Sequence, residues 1–170
     1  MYLDECKQDP YLLVGVLVAE YDKVSLRKIL SSLLLYRQRS IHFKNENTRH
    51  KKRVLASLQK HEFQVVVFRH VLTTKLGGRT QTLKSLVSYS LGARVGQLVF
   101  ELDETSRISD DQMLANCIPL VSGRRLINWE HRLRHQEPLL WVADAVAWCV
   151  NRGGEWERMV RPMILETFDC

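Results

Sequence analysis

An apolar run near the end of the chain constrains the fold most, because a single carboxylate interrupts it. The run covers residues 139–150 and reads LLWVADAVAWCV, with Asp144 at its centre. Pro138 precedes it, and proline is favoured at the first position of a helix. The pattern therefore predicts a helix from Pro138 to about Arg152. On that helix every residue three or four positions from Asp144 is apolar, so no local cation can pair with this carboxylate.

The partner of Asp144 must therefore come from another part of the chain or from solution. A carboxylate buried without a partner costs several kcal/mol, or its pKa shifts until the group is neutral. A metal ion, an arginine or backbone N–H donors would each meet the need. A small gap in the buried face, with a hydrogen bond to a distant loop, is the simpler structural alternative. The run is too short to span a bilayer.

The remaining periodicity predicts a mixed α/β fold in one domain covering residues 1–170. With 170 residues, 45% of them hydrophobic, the chain is long enough for one core and short for two. Alternating or β-branched runs predict strands at 1–6, 11–19, 64–72, 97–104 and 126–133. Helical spacing predicts helices at 23–36, 80–93, 112–117 and 138–152. It also predicts a basic helix that begins after a cap at Asn47 or Thr48.

Cysteine usage and the first residues indicate a cytoplasmic protein. None of the four cysteines lies in a CxxC pair, so a zinc site of that type is unsupported, and four are too few for a disulfide scaffold. Asp4 and Glu5 stand where a secretory signal would carry basic residues. We therefore expect reduced thiols, no membrane attachment and a cytoplasmic location.

Charge is distributed unevenly along the chain. The segment from Lys23 to Arg94 holds 16 basic and two acidic residues, whereas the remainder has a net charge of −8. Clustered Lys and Arg favour a polyanion, because they release counterions from phosphates, and nucleic acid is the expected partner. Solvated helix faces with no partner are the alternative explanation.

Three further carboxylates fall on predicted strands. Asp4 lies on the first strand, and Glu101 and Asp103 lie two apart on the fourth, so the latter two should share a face. Glu5, next to Asp4, should point to the opposite face. Together with Asp144 these acids match the needs of a two-metal phosphoryl-transfer site, in which Mg²⁺ or Mn²⁺ takes oxygen ligands and activates water.

Several short motifs resemble an uncharacterised group, the domain-of-unknown-function 3800 family, which is regarded as ribonuclease H-like. They are the opening Tyr2-Leu3-Asp4-Glu5, the piece Ile41-His42-Phe43, the strand end Leu102-Asp103-Glu104 and the ADxxAW helix around Asp144. The resemblance runs from about residue 1 to Arg152. The family usually opens Asp-Glu-Ser-Gly, whereas this chain has Asp4-Glu5-Cys6-Lys7.

The resemblance implies a ribonuclease H-like mixed sheet of strand order 3-2-1-4-5, flanked by helices, with residues 23–60 as a basic helical insertion between strands 2 and 3. It places Asp4, Asp103 and Asp144 as catalytic ligands of Mg²⁺ or Mn²⁺, with Glu101 in reserve. Nucleic acid would be held by residues of the insertion: His42, Lys44, Arg49, Lys51, Lys52 and Arg53.

The sequence is compatible with two functions. The first is a metal-dependent nuclease or related phosphoryl-transfer enzyme, which the three carboxylates favour. The second is a catalytically silent ribonuclease H-like module that binds nucleic acid or a protein, which the altered opening favours.

Overall fold

A six-stranded sheet organises the described residues, which are 1–71 and 75–170 of this computed structural model. The strands are β1 (Tyr2–Cys6), β2 (Tyr11–Leu17), β3 (Gln64–His70), β4 (Gln97–Glu101), β5 (Leu120–Val121), β6 (Arg124–Arg125), β7 (Asn128–Arg132) and β8 (Ile164–Asp169). The helices are α1 (Lys23–Ser32), α2 (Thr48–Leu58), α3 (Lys75–Gly92), α4 (Arg107–Cys117), α5 (Leu140–Arg152) and α6 (Gly154–Val160). The end of the third predicted strand, at residue 72, lies outside the described residues.

The order of strands in the sheet confirms the prediction. It runs β7-β4-β1-β2-β3-β8, so the five predicted strands stand in the order 3-2-1-4-5. β1 and β2 pair antiparallel, as do β2 and β3, whereas β1, β4 and β7 are parallel. The sequence did not predict β8, which adds to the edge parallel to β3 and is largely exposed.

Helices cover both faces of the sheet, and the inner strands contribute apolar residues to both sides. α1, α2, α5 and α6 enclose one core, which takes Tyr2 and Val99 from the central strands. α3 and α4 enclose the other, which takes Leu3 and Phe100. Buried strands of a doubly covered sheet lack polar alternation, which explains why β2 reads as a continuous apolar run.

The alternation of side chains sets the direction of the acidic residues on the central strands. Asp4 lies on the same strand face as Tyr2, and Glu101 on the same face as Val99, so both side chains point toward α5. Glu5 faces α3, as predicted, where it contacts Arg79. The ends of the two neighbouring parallel strands therefore carry carboxylates toward the same helix.

The connection from β2 to β3 holds the two predicted basic helices, although the first is shorter than expected. α1 ends at Ser32, and an extended segment with one short 3₁₀ turn, Phe43–Asn45, leads to α2. Asn47 caps α2, its Oδ1 accepting a hydrogen bond of 2.9 Å from the backbone N–H of His50. This connection passes beside α5, because Phe43 packs edge-on against Trp148.

α5 is the most buried helix of the α1/α2/α5/α6 layer. It packs across β1 and β2, and Gly153, at φ 69°, ends it in a conformation that favours glycine. The protein itself buries α5. Within the described ranges, no helix has both the length and the apolar character that crossing a membrane would require.

Candidate functional site

Asp144 meets both an arginine and a backbone donor from distant parts of the chain. Its Oδ2 accepts hydrogen bonds from the backbone N–H of Phe43 at 2.7 Å and from Arg134 Nη1 at 2.6 Å. His42 Nδ1 lies 3.5 Å from the same oxygen and also contacts Arg134 Nη1. Two of the partners that the sequence left open are thus present together.

Arg134 joins three carboxylates that come from three different elements. Its Nη2 lies 2.7 Å from Glu101 of β4 and 3.6 Å from Asp4 Oδ2 of β1, while Nη1 binds Asp144 of α5. The arginine stands in a short 3₁₀ turn after β7, where its carbonyl oxygen accepts a hydrogen bond of 2.7 Å from Trp141 Nε1. We call His42, Asp4, Glu101, Arg134 and Asp144 the Arg134 cluster.

Negative charge exceeds positive charge in the Arg134 cluster, because one guanidinium faces three largely buried carboxylates. Burial raises the pKa of Asp4 well above its ordinary value, and the nearby charges of Glu101 and Asp144 raise it further. Burial acts on Asp144 too, but hydrogen bonding from His42 and the charge of Arg134 outweigh it and lower the pKa of Asp144.

The two carboxylate oxygens of Glu101 differ in their hydrogen bonding. Its Oε1 accepts hydrogen bonds from Arg134 Nε and Nη2 at 3.0 and 2.7 Å. Its Oε2 is buried and lies 2.7 Å from Arg134 Nη2 as an ion pair, but it has no hydrogen bond of proper geometry to any described residue. A buried carboxylate oxygen that is ion-paired but not hydrogen-bonded can still accept, so this atom is a candidate ligand for a cation.

Asp103, the predicted second ligand, binds elsewhere. It accepts hydrogen bonds from Lys7 Nζ at 2.5 Å, from Thr105 and from Ser106, in the turn that leads into α4. Burial alone would raise its pKa, but these hydrogen bonds lower the pKa of Asp103 below its ordinary range. Glu101, the reserve candidate, therefore contacts Arg134 instead of Asp103. β4 ends at Glu101, so Asp103 lies in the following turn and no longer shares a strand face with Glu101.

A second arginine-centred cluster lies on the opposite face of the sheet. Arg79 of α3 binds Asp110 of α4, with Nε 2.7 Å from Oδ1, and also contacts Glu5 and the hydroxyl oxygen of Tyr11. Lys7 adds a further cation 3.2 Å from Glu5. We call Glu5, Lys7, Tyr11, Arg79 and Asp110 the Arg79 cluster. Every carboxylate in it has a cation in contact.

The basic residues of α2 do not form one exposed row. Lys51, predicted to contact nucleic acid, is buried, and its Nζ donates to the carbonyl oxygens of Glu46 and Lys44 beneath the Trp148 ring rather than facing solvent. Lys52 is exposed but pairs with Glu155 at 2.8 Å.

The other predicted contacts differ in their surroundings. Arg53 Nη2 donates to the carbonyl oxygen of Leu33 at 2.7 Å. Lys44 and Arg49 are exposed, and His42 is half-buried at the rim of the Arg134 cluster. His42 is therefore the one of these predicted residues that lies in the cluster itself.

Comparison with known proteins supports the architecture. No family model matches the chain, and no curated protein matches it. Among solved structures it is similar to RNase HII in the PCNA:RNase HII complex from Archaeoglobus fulgidus, with a TM-score of 0.54 and 18% identity over 95% of this chain and 76% of that chain. The fold is ribonuclease H-like. At this identity the similarity shows the fold alone, and the resemblance to the domain-of-unknown-function 3800 family stays a prediction.

The donor set of the Arg134 cluster suits a hard divalent cation, although the side chains as they stand do not form a metal site. Within residues 1–71 and 75–170, no three His, Cys, Asp or Glu side chains are arranged to hold a metal ion. The physical reason is visible in the cluster: Arg134 contacts all three carboxylates. Carboxylate oxygens are nevertheless the ligands that Mg²⁺ and Mn²⁺ prefer, and Glu101 Oε2 still lacks a hydrogen bond.

Proposed function

We propose that this protein is a metal-dependent nuclease in which Asp4, Glu101 and Asp144 bind Mg²⁺ or Mn²⁺. One observation carries the proposal: the fold gathers three carboxylates from β1, β4 and α5 around a single guanidinium. Such an excess of buried negative charge is unfavourable unless a cation compensates it or a proton neutralises one of the acids, as the raised pKa of Asp4 allows. Perturbed carboxylates of this kind are typical of functional sites.

The proposed chemistry follows from the ligand set. Divalent ions held by carboxylates activate water and stabilise the leaving oxygen in the hydrolysis of a phosphodiester. Asp4, Glu101 and Asp144 would hold the ions, and His42, half-exposed at the rim, is the cluster residue that a substrate phosphate can reach. Asp103 is left out of the ligand set, because Lys7 and the turn before α4 already satisfy its carboxylate.

Arg134 has a defined part in this proposal. A guanidinium and a metal ion cannot both lie between the same three carboxylates, so Asp4, Glu101 and Asp144 would hold an ion only with the Arg134 side chain moved away. Until then Arg134 offsets part of the repulsion between the acids and keeps them together. The backbone of Arg134 can stay in place, because Trp141 holds its carbonyl oxygen independently of the side chain.

Nucleic acid is the proposed substrate class. The excess of basic residues in the Lys23–Arg94 segment suits a phosphate backbone, and His42, within that segment, reaches the Arg134 cluster. Similarity to RNase HII agrees with this substrate class at the level of fold only.

A second candidate function is a silent module that binds nucleic acid without cleaving it. The hydrogen bonds of Arg134 to Glu101 and Asp144 favour it, because a guanidinium in that position neutralises acids much as a metal would. In a silent module Arg134 would take the place of the cation permanently. The altered opening Asp4-Glu5-Cys6-Lys7 points the same way.

Cleavage assays with matched variants test the proposal. Purified protein should cleave at least one of a set of single-stranded, duplex and RNA–DNA hybrid substrates with Mg²⁺ or Mn²⁺, and chelation should abolish cleavage. Asp144→Asn and Glu101→Gln should abolish it too, since each keeps the shape but loses the charge that holds the ion. Asp103→Asn is the control and should remain active.

The outcomes separate the two candidates. Cleavage that survives chelation and Asp144→Asn contradicts the metal mechanism. Loss of activity in Asp103→Asn but not in Glu101→Gln would restore the ligand set expected from sequence. Absence of cleavage on all substrates, together with absence of Mn²⁺ binding, would establish the silent module instead.

A further inference from the structure

The turn between α1 and the Arg134 cluster presents an aromatic side chain to solvent. We call residues 34–39 the Tyr36 turn. Tyr36 is 88% exposed, and the guanidinium of Arg37 lies over its ring, 5.2 Å from the centroid. Arg37 has φ 64°, a left-handed conformation that is uncommon for a residue other than glycine. A residue held in such a conformation at a turn is a reason to look for function there.

The Tyr36 turn is built firmly although its tip is exposed. Two hydrogen bonds between Gln38 and Leu35 close the turn. The backbone N–H of Gln38 donates to the carbonyl oxygen of Leu35 at 2.9 Å, and the backbone N–H of Leu35 donates to Oε1 of Gln38 at 3.0 Å. The amide of Gln38 also donates to Glu46. Just before the turn, the carbonyl oxygen of Leu33 is bound by Arg53 and His50 of α2. The aromatic ring is therefore carried on an anchored turn.

Four cations lie in or close in sequence to the Tyr36 turn. Arg37, Arg39, Lys44 and Arg49 are exposed. None of the four forms an ion pair with a described residue. The one acid between residues 33 and 53 is Glu46, which is buried and bound to His50. A polyanion would meet cations without an ion-pair partner here, whereas further along α2 Lys51 is buried and Lys52 pairs with Glu155.

We propose that the Tyr36 turn binds single-stranded nucleic acid, with a base stacked on Tyr36 and phosphates bound by Arg37 and Arg39. The inference rests on the proposed function, for which it names the substrate-binding surface. An exposed aromatic ring next to cations is the arrangement that binds single strands, because every base has a face that can stack. Bases in a duplex are already stacked on each other, so the ring selects for unpaired ones.

The distance along the chain agrees with a shared substrate. Tyr36 and His42 are six residues apart, so at most about 21 Å separates them even in an extended chain. A short oligonucleotide that stacks on Tyr36 can therefore also reach the Arg134 cluster through His42. The same strand would pass the side chains of Arg37 and Arg39.

Binding measurements without metal test this inference apart from cleavage. Fluorescently labelled single-stranded DNA and RNA and a blunt duplex are titrated with protein in EDTA at low salt. Tyr36→Ala should weaken binding of at least one single strand about fivefold or more, as loss of base–aromatic stacking requires. Tyr36→Phe should bind like the wild type, because the ring remains. Tyr21→Ala is the matched control, since Tyr21 is 85% exposed but lies outside the turn.

The results that would overturn the inference are distinct from those that bear on catalysis. A Tyr36→Ala variant that binds single strands within twofold of Tyr21→Ala contradicts it, as does equal weakening of the duplex or failure of the wild type to bind any single strand. Binding that depends on Tyr36 supports it even if no substrate is cleaved. Conversely, metal-dependent cleavage by a protein indifferent to Tyr36 would leave the proposed nuclease intact and remove this surface.

Discussion

Two arginines organise acidic clusters on opposite faces of the same sheet, and the clusters begin at adjacent residues of β1. Asp4 points to α5 and joins the Arg134 cluster, whereas Glu5 points to α3 and joins the Arg79 cluster. The Arg79 cluster sets two cations, Arg79 and Lys7, against Glu5 and Asp110, although Lys7 also pairs with Asp103 outside the cluster. The Arg134 cluster sets one guanidinium against three carboxylates.

The difference teaches how to separate a structural ion-pair network from a functional one. Both clusters are largely buried and both contain a multiply bonded arginine, so neither burial nor ion pairing distinguishes them. What distinguishes them is whether the buried carboxylates are fully compensated by cations and hydrogen bonds; we call a fully compensated cluster saturated. The Arg134 cluster raises the pKa of Asp4 through burial and neighbouring negative charge, and it leaves Glu101 Oε2 without a hydrogen bond. An unsaturated cluster has a use for a further cation, and a saturated one has none.

Removing each arginine should give the largest contrast between the clusters. Without added metal, Arg79→Ala and Arg134→Ala should each lower the free energy of unfolding by about 3–5 kcal/mol, because each leaves buried carboxylates unpaired. Added Mn²⁺ should restore much of the loss in Arg134→Ala and none in Arg79→Ala. Denaturant unfolding in EDTA and in Mn²⁺ measures both effects. Equal response of the two variants to Mn²⁺ would remove the distinction.

Neutralising the adjacent acids of β1 should give opposite signs. Asp4→Asn should raise the free energy of unfolding by about 1–3 kcal/mol at pH 7 without metal, since it removes a poorly compensated buried charge. Glu5→Gln should lower it by about 1–3 kcal/mol, because the ion pairs with Arg79 and Lys7 are lost.

The effect of Asp4→Asn should depend on pH in a defined direction. The pKa of Asp4 is raised in the folded protein, so the fold holds this proton more tightly than the unfolded chain does. The stability that this proton provides is complete below about pH 4 and is lost as the pH rises through the raised pKa. The advantage of Asp4→Asn over wild type should therefore vanish near pH 4. An advantage that is constant with pH would contradict the raised pKa.

Asp103 should show the smallest effect and should take no part in cation binding at the Arg134 cluster, because its cation partner is Lys7. Asp103→Ala removes the acceptor for Thr105 and Ser106 in the turn before α4 and the ion pair with Lys7, which should cost about 1 kcal/mol of stability because the site is partly exposed. Thermal unfolding measures the cost. Mn²⁺ affinity should stay within twofold of wild type, and a large loss would return Asp103 to the ligand set.

The strands could be predicted from sequence because their signals are local. β1 to β4 carry buried apolar residues in runs that persist in the structure, whereas no residue of β7 is fully buried. The order 3-2-1-4-5, which the family resemblance implied, was also found. β8 was not predicted because it is an edge strand. Its residues Leu165, Glu166 and Thr167 are all exposed, so the sequence shows no apolar pattern there.

The candidate site could be predicted only in part. The need of Asp144 for a distant partner followed from the apolar helix around it, but nothing local says which of many cations supplies it. Arg134 is ten residues from Asp144, 33 from Glu101 and 130 from Asp4, and only the packing of β7 beside β4 brings it in. The choice between Glu101 and Asp103 depends on where β4 ends, and strand ends are poorly marked by composition.

Direct measurement of Mn²⁺ binding tests the central claim that the Arg134 cluster is a cation site occupied by a guanidinium. Electron paramagnetic resonance or calorimetric titration of the apo protein should show Mn²⁺ bound by the wild type, more tightly bound by Arg134→Ala, and not bound by Asp144→Asn. Glu5→Gln, in the Arg79 cluster, should bind as the wild type does. Failure of both wild-type protein and a folded Arg134→Ala variant to bind Mn²⁺, or undiminished binding by Asp144→Asn, would contradict the account.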